Sequence, residues 1–283
     1  AISIAEQLSG NAHPDVAHIL TDLAESYWSQ TKYEQAEILY QRALLIYEQA
    51  PAASRIRIAT ILNDMGMLYE YQEQYEQAEA YLQRSLTIRE QELEAPHADI
   101  GESFNNLAWV SYKERKYEQA EQLYQRGLAI REQTLGSDHP TTAQSLDNLA
   151  LLYSDQGNYE QAEPLLQRAL TIFEQSVGPK HQDTAIALRI LADLYAKQGQ
   201  YERARPLYQQ ALAIFEQALG SEHPYVALCL QRLARLDVHE GKYEQALALY
   251  QRALDIREQV QGPEHIATMK ARKEYEEVLQ TLT

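Results

Sequence analysis

Between residues 117 and 133 the apolar positions Ala120, Leu123, Tyr124, Gly127, Leu128 and Ile130 recur at steps of three and four, with Glu, Gln and Arg between them. That spacing lays one apolar stripe along a helix, and the intervening polar residues are good helix formers. The pattern returns at 243–259. Ahead of such stretches stand others of the same period, among them LTDLAESY, SLDNLALLY and RILADLY. Three of these follow a His-Pro step, at His13-Pro14, His139-Pro140 and His223-Pro224, and proline suits a first helical turn because its missing N–H has no partner there anyway. Gly157, Gly199 and Gly241 precede the next tyrosine by two residues, as a left-handed residue closing a helix would. Thr31, Glu73 and Arg115 hold that place elsewhere, which predicts another turn geometry or local strain. Gly136, Gly178, Gly220 and Gly262 mark a second turn. No segment alternates as a strand does, so the chain reads as all-α.

The two helices form a unit that repeats. Tyr33, Tyr75, Tyr117, Tyr159, Tyr201 and Tyr243 stand 42 residues apart, each opening a phrase close to YEQAE. A fixed period over almost the whole chain means stacked copies of one supersecondary unit. Small residues share phases where helices must come close: Ala36, Ala78, Ala120, Ala162, Ala204 and Ala246 in one, and Ala24, Gly66, Ala108, Ala150, Ala192 and Ala234 in another. A larger side chain there would overpack the contact. The expected organisation is a partial repeat at 1–12 comprising a second helix only, six repeats over 13–264, and a charged capping helix at 265–283, in one continuous solenoid.

Leu149, Ala150 and Tyr153, followed by Ala162, Leu166 and Ala169, reproduce the spacing of tetratricopeptide repeats, whose usual unit is about 34 residues. The longer 42-residue unit, exemplified by LDNLALLYSDQGNYEQAEPLLQRALTIFEQ at 146–175 with a histidine in the following loop, resembles the repeat domain of kinesin light chains over residues 1–270. The resemblance implies a right-handed superhelical solenoid of antiparallel helix pairs whose first helices line a concave groove. It also implies that the asparagines of LNNLA-type segments hold cargo peptides. FNNLA at 104–108 and LDNLA at 146–150 match that segment; ILADL and QRLARL depart from it. Kinesin light chains carry an N-terminal heptad segment that grips the motor heavy chain. This sequence has no heptad run, so a motor heavy chain is not carried over as a partner. The near-perfect, glutamine-rich repeats point to a bacterial relative.

Composition narrows the partners. With 41 acidic against 25 basic residues and a formal charge of −16, nucleic acid and anionic membrane surfaces are excluded as partners, since both need clustered Lys and Arg. No apolar run approaches the roughly 20 residues that span a bilayer, and no signal peptide is visible, so the expected location is cytoplasmic. The single cysteine, Cys229, lies in the apolar stretch ALCLQRLA and reads as a small core residue. Six of eight histidines (His13, His97, His139, His181, His223, His265) fall on the 42-residue grid. Stacked layers are roughly 10 Å apart, too far for grid-mates to share one metal, so they predict hydrogen bonding at helix starts. No phosphate loop, HExxH or CxxC is present, nor any triad that the repeat would bring together. No cofactor, metal or catalytic site is expected.

What remains is the lining of the groove. Asn63, Asn105, Asn106 and Asn148 form short ladders one period apart, and asparagine amides can both donate to and accept from the backbone of an extended peptide. Trp109, Tyr71 and Tyr112 are candidates to wall an apolar pocket, with Lys113 beside them. Asp22, Glu25, Asp64 and Glu70 make the early lining acidic, while Arg189, Lys197, Arg232 and Arg235 make the late lining basic, with only Asp193 opposing them. The expected function is a protein-interaction scaffold or adaptor that binds an extended protein or peptide segment whose acidic part lies toward the C-terminal repeats. The alternative is a structural or autoregulatory array that packs on another domain or self-associates through its open N-terminal half repeat.

Overall fold

The computed structural model describes residues 10, 12–30, 32–49 and 55–282. Among them are thirteen helices and no strand. They divide between two compact units, which meet at Ser137 and Asp138 in sequence. The first unit holds α1 (Pro14–Ser29), α2 (Tyr33–Gln49), α3 (Arg55–Tyr71), α4 (Tyr75–Glu92), α5 (Ala98–Lys113) and α6 (Tyr117–Leu135). The second holds α7 (Pro140–Asp155), α8 (Tyr159–Ser176), α9 (Gln182–Lys197), α10 (Tyr201–Leu219), α11 (Pro224–His239), α12 (Tyr243–Gln261) and α13 (Ile266–Leu282). Each odd-numbered helix from α1 to α11 packs antiparallel against the next, and α13 closes the second unit against α12. The expected partial repeat at 1–12 falls outside the described residues except for Gly10 and Ala12.

Every first helix but α3 begins on a histidine, and so does α13. The Nδ1 atoms of His13, His97, His139, His181, His223 and His265 accept the backbone N–H two residues on, at 3.1–3.2 Å. This satisfies one of the orphan donors of the first turn, the task usually given to Ser, Thr, Asp or Asn. An acceptor Nδ1 must be unprotonated, and burial lowers the pKa of His223, which favours that form. The periodic histidines are therefore helix caps.

The turn inside each pair is equally regular. The N–H groups of Gln74, Lys116, Asn158, Gln200 and Lys242 return to the carbonyls of Tyr69, Ser111, Tyr153, Tyr195 and Asp237 at 2.8–2.9 Å, a closure that needs a left-handed residue just before it. Gly157, Gly199 and Gly241 supply it with φ of 79°, 74° and 74°. Glu73 and Arg115 adopt the same conformation, with φ of 61° and 62°, so these turns keep their geometry and carry the strain instead. Thr31 lies outside the described residues.

Packing within each pair depends on the small residues. Ala24, Ala36, Ala78, Ala108, Ala120, Ala150, Ala162, Ala192, Ala204, Ala234 and Ala246 are all fully buried. A methyl group on Gly66 would stand 2.5 Å from Leu82 Cγ, so the α3–α4 contact admits no side chain there. Against these contacts rest the largest buried side chains, including Tyr40, Tyr124, Tyr208, Phe104, Phe173 and Phe215. Cys229 joins the second unit's core, and burial pushes its thiol pKa up to about 12. The terminal helix is less polar outside than a purely solvated cap: Ile266, Met269 and Leu279 are exposed beside Lys270 and Lys273.

The strained turns yield a stability prediction. Replacing Glu73 and Arg115 by glycine relieves left-handed strain at a small entropic cost, so each change should stabilise by roughly 0.5–1 kcal/mol. Chemical denaturation followed by circular dichroism should show an upward shift of the midpoint, and a downward shift would contradict the strain.

Candidate functional site

In the first unit the candidate residues divide into buried and accessible sets. Asn63 and Asn105 are only 5% and 3% exposed. Asn105 Nδ2 donates to the Gly101 carbonyl at 3.1 Å and lies where a methyl on Gly127 would be, 2.5 Å away. The amide nitrogen is engaged in the α5–α6 contact, while its Oδ1 is buried without a hydrogen-bond partner. Asn106 is half-buried, and its Nδ2 donates to Asn63 Oδ1 at 2.9 Å. The pairing is thus diagonal, from one turn on α5 to a different phase on α3. Accessible amides remain at Asn106 in this unit and at Asn148 in the second, where the residue is half-buried on α7.

Trp109 is half-buried on α5. Its Nε1 donates to Glu70 Oε1 at 2.8 Å, its ring lies 5.4 Å from that of Tyr112, and Lys113 Nζ sits 5.4 Å from the indole centre. Lys113 also approaches Glu70 at 3.9 Å. Burial raises the Glu70 pKa, while the indole N–H and Lys113 pull it back. Tyr71 packs elsewhere, with its ring 4.9 Å from Tyr33 and 57% of its surface exposed. Asp64 Oδ2 is buried without a hydrogen-bond partner, and burial pushes its pKa up to about 7 against the hydrogen bond from Asn63 and the charge of Arg89.

The second unit gathers its candidates on one cavity of about 570 Å³. Arg189 and Lys197 come from α9, Arg232 and Arg235 from α11, and Lys270 from α13. Leu151, Leu166, Ile190, Ala196 and Leu236 supply apolar wall, and Tyr201, Tyr208 and His239 aromatic wall; the Tyr201 and His239 rings stack at 4.8 Å. The cations are more heavily countered than the charge pattern implied. Asp193 Oδ2 accepts from Arg189 Nη1 at 2.8 Å and its Oδ1 from the Tyr208 hydroxyl at 2.6 Å, while Arg232 Nε lies 2.7 Å from Oδ1 as an ion pair without a hydrogen bond. Burial and then Asp193 raise the Tyr208 pKa. Arg235 is bridged to Glu274, and Lys197 to Asp155, with Ser154 Oγ at 3.2 Å. Lys270 has no carboxylate partner among the described residues.

Lys270, Glu274, Tyr208 and the pairing role of Asp193 were missed by column-by-column reading. The signal was present at a different offset. Glu70–Trp109, Asp193–Arg232 and Arg235–Glu274 are each 39 residues apart, one period less one short turn. Asp147, on α7, is 6% exposed with its Oδ1 unpartnered. Burial drives its pKa to about 8, and Arg189 only partly opposes this. Among the described residues, no three His, Cys, Asp or Glu side chains are grouped to hold a metal, and no helix is long and apolar enough to cross a membrane.

The tetratricopeptide repeat family model matches residues 1–49, 57–133, 111–175, 146–217, 183–259 and 229–282, and the chain belongs to the tetratricopeptide repeat family, whose fold is typical of protein-interaction scaffolds and generally non-catalytic. Among similar solved structures is BtubC (BKLC) from P. vanneervenii, with a TM-score of 0.65 at 20% identity, covering 77% of this chain and 86% of that one. A putative kinesin light chain of P. anserina with nearly identical TPR-like repeats has a TM-score of 0.60 at 25% identity, covering 74% and 98%. A Rap protein complexed with Competence and Sporulation Factor has a TM-score of 0.64 at 17% identity, covering 99% and 79%. A search of curated proteins finds no match.

Two predictions follow from the buried acids. Asp147 binds its proton more tightly folded than unfolded, so its contribution to stability is full below the ordinary carboxylate range and is lost as pH rises toward 8. Asp147→Asn should therefore stabilise the protein at pH 8 by roughly 1–3 kcal/mol, with the gain shrinking at pH 5. Denaturation midpoints of both proteins at the two pH values test this, and a pH-independent difference would refute it. Trp109→Phe keeps the ring but strips Glu70 of its donor, and should destabilise by roughly 1–3 kcal/mol with helicity retained.

Proposed function

We propose that this chain is a peptide-binding scaffold in which the exposed faces of the first helices take an extended segment of a partner protein. The observation that carries the reading is the convergence of Arg189, Lys197, Arg232, Arg235 and Lys270 on one cavity with apolar and aromatic walls, in a chain whose net charge is −16. A local basic site on an acidic protein selects its ligand by charge as well as by burial, because wrong partners are repelled by the rest of the surface. The ligand is accordingly a segment with acidic side chains around an apolar or aromatic anchor. Asn148, half-buried and carrying an amide, is suited to its backbone, as Asn106 is to a segment on the first unit. The occupied Rap protein supports ligand binding on this fold, and the cytoplasm is the compartment in which such a partner would be met. The repeats are read as six over 13–264 with a cap at 265–283.

A second reading, an array that self-associates, is favoured by the exposed Ile266 and Met269 on α13. Sedimentation across concentration distinguishes it, since a scaffold of the first kind stays monomeric.

Binding is measured by fluorescence anisotropy with peptides of alternating glutamate and tryptophan, and with lysine-for-glutamate counterparts. The acidic peptides should bind and the basic ones should not. The Arg232→Gln and Lys270→Gln double variant should weaken binding at least about tenfold, and raising salt from 50 to 300 mM should weaken it further. Equal binding of acidic and basic peptides, or no effect of the double variant, would reject the cavity as the site.

A further inference from the structure

The convergence of Arg189, Arg232 and Tyr208 on one carboxylate carries a step beyond a generally basic cavity. Two donors, Arg189 on α9 and Tyr208 on α10, bond the two oxygens of Asp193 at 2.8 and 2.6 Å, and the Arg232 guanidinium of α11 is ion-paired with it at 2.7 Å. The chemistry of this cradle is that of a carboxylate receptor, with two guanidinium groups and a phenol on a partly desolvated wall. Its occupant belongs to the same chain: Asp193 sits one turn along α9 from Arg189 and faces the same cavity. Both arginines are only partly exposed, at 16% and 27% for their side chains, so water screens them weakly.

We propose that Asp193 is a resident counter-ion that competes with the ligand's carboxylate for Arg189, Arg232 and Tyr208, and thereby sets how acidic a segment must be in order to bind. The inference rests on the peptide-binding reading above and deepens it. A lone glutamate on a ligand gains little, because the guanidinium charge is already half cancelled by Asp193. A segment with two or more carboxylates can engage the remaining donors of the cradle together with Lys270, which has no internal acid to displace. Asp193 thus acts against weakly acidic segments, an internal negative element that raises specificity at the expense of affinity. The alternative role for Asp193 is to brace the two arginines in a productive orientation, which would make it an ally of the ligand.

The substitution Asp193→Asn separates these roles. It keeps the volume and the oxygen acceptor for Tyr208, removes the charge, and turns the oxygen that accepts from Arg189 into an NH2 donor, which frees that guanidinium. Native protein and D193N are titrated with fluorescent peptides carrying one or four glutamates around a tryptophan, at 50 and 300 mM salt, after circular dichroism has verified helicity. With one charge removed a few ångströms from the ligand's carboxylate, affinity for the one-glutamate peptide should rise by about tenfold or more. The four-glutamate peptide should gain less, and adding Arg189→Gln and Arg232→Gln to D193N should abolish the gain. Weaker or unchanged binding of both peptides to D193N, with the native protein still binding the four-glutamate peptide, overturns the counter-ion role and leaves the peptide-binding reading standing. Failure of every peptide to bind either protein at 50 mM salt overturns both. Should D193N lose helicity, Asp193→Ser is titrated in its place and judged by the same outcomes.

Discussion

The closest approach between two helices is the constraint from which the rest of this structure follows. Each pair meets through residues with a methyl group or less, and at Gly66 and Gly127 even a methyl has no room. This proximity fixes which face of each first helix turns inward and which is left accessible. Because the constraint recurs every 42 residues, it also fixes the vertical spacing at which side chains of neighbouring first helices meet. Caps and turns serve the same end: the histidine Nδ1 acceptors set where a first helix starts, and the left-handed residue sets where it stops. With both ends determined, the phase of each helix against its partner is no longer free.

Much of this was legible in the chain. The 3.6-residue periodicity, the His-Pro starts and the glycine stops mark the helices, and the small-residue phases mark the contacts. What single-period columns concealed was the diagonal relation between first helices. Partners on neighbouring first helices meet at several offsets around the period. Glu70 with Trp109 and Asp193 with Arg232 join across 39 residues, Lys197 with Asp155 across 42, and Asn106 reaches Asn63 across 43. Nor could the columns separate the inward phase from the outward one. Asn63, Asn105 and Asp147 look like lining residues in a list of variable positions, and the fold places them against their own neighbours.

Burial governs the protonation of the most enclosed acids in both units. In the first, it pushes the Asp64 pKa up to about 7 against the hydrogen bond from Asn63 and the charge of Arg89. In the second, it pushes that of Asp147 up to about 8, which Arg189 only partly opposes. Asp193, half-buried, is instead ion-paired with Arg189 and Arg232 and accepts the Tyr208 hydroxyl. A formal count of charges along the first helices therefore overstates the negative charge near neutrality.

The meeting of Asn105 with Gly127 has a consequence for how such a chain can change. Asn105 occupies the volume that a side chain at position 127 would need, and the equivalent position elsewhere is Ala43, Ser85, Ala169, Ala211 or Ala253. In α3 and α4 the same two positions hold Asn63 and Ser85, whose hydroxyl donates to the Ala59 carbonyl. An asparagine and a side chain can therefore share this contact when the amide turns aside, as Asn63 does toward Asn106. Helix α5 placed against another second helix would have to give up the Asn105 bond to Gly101, so the exact fit of α5 to α6 is inherited only when the two helices travel together.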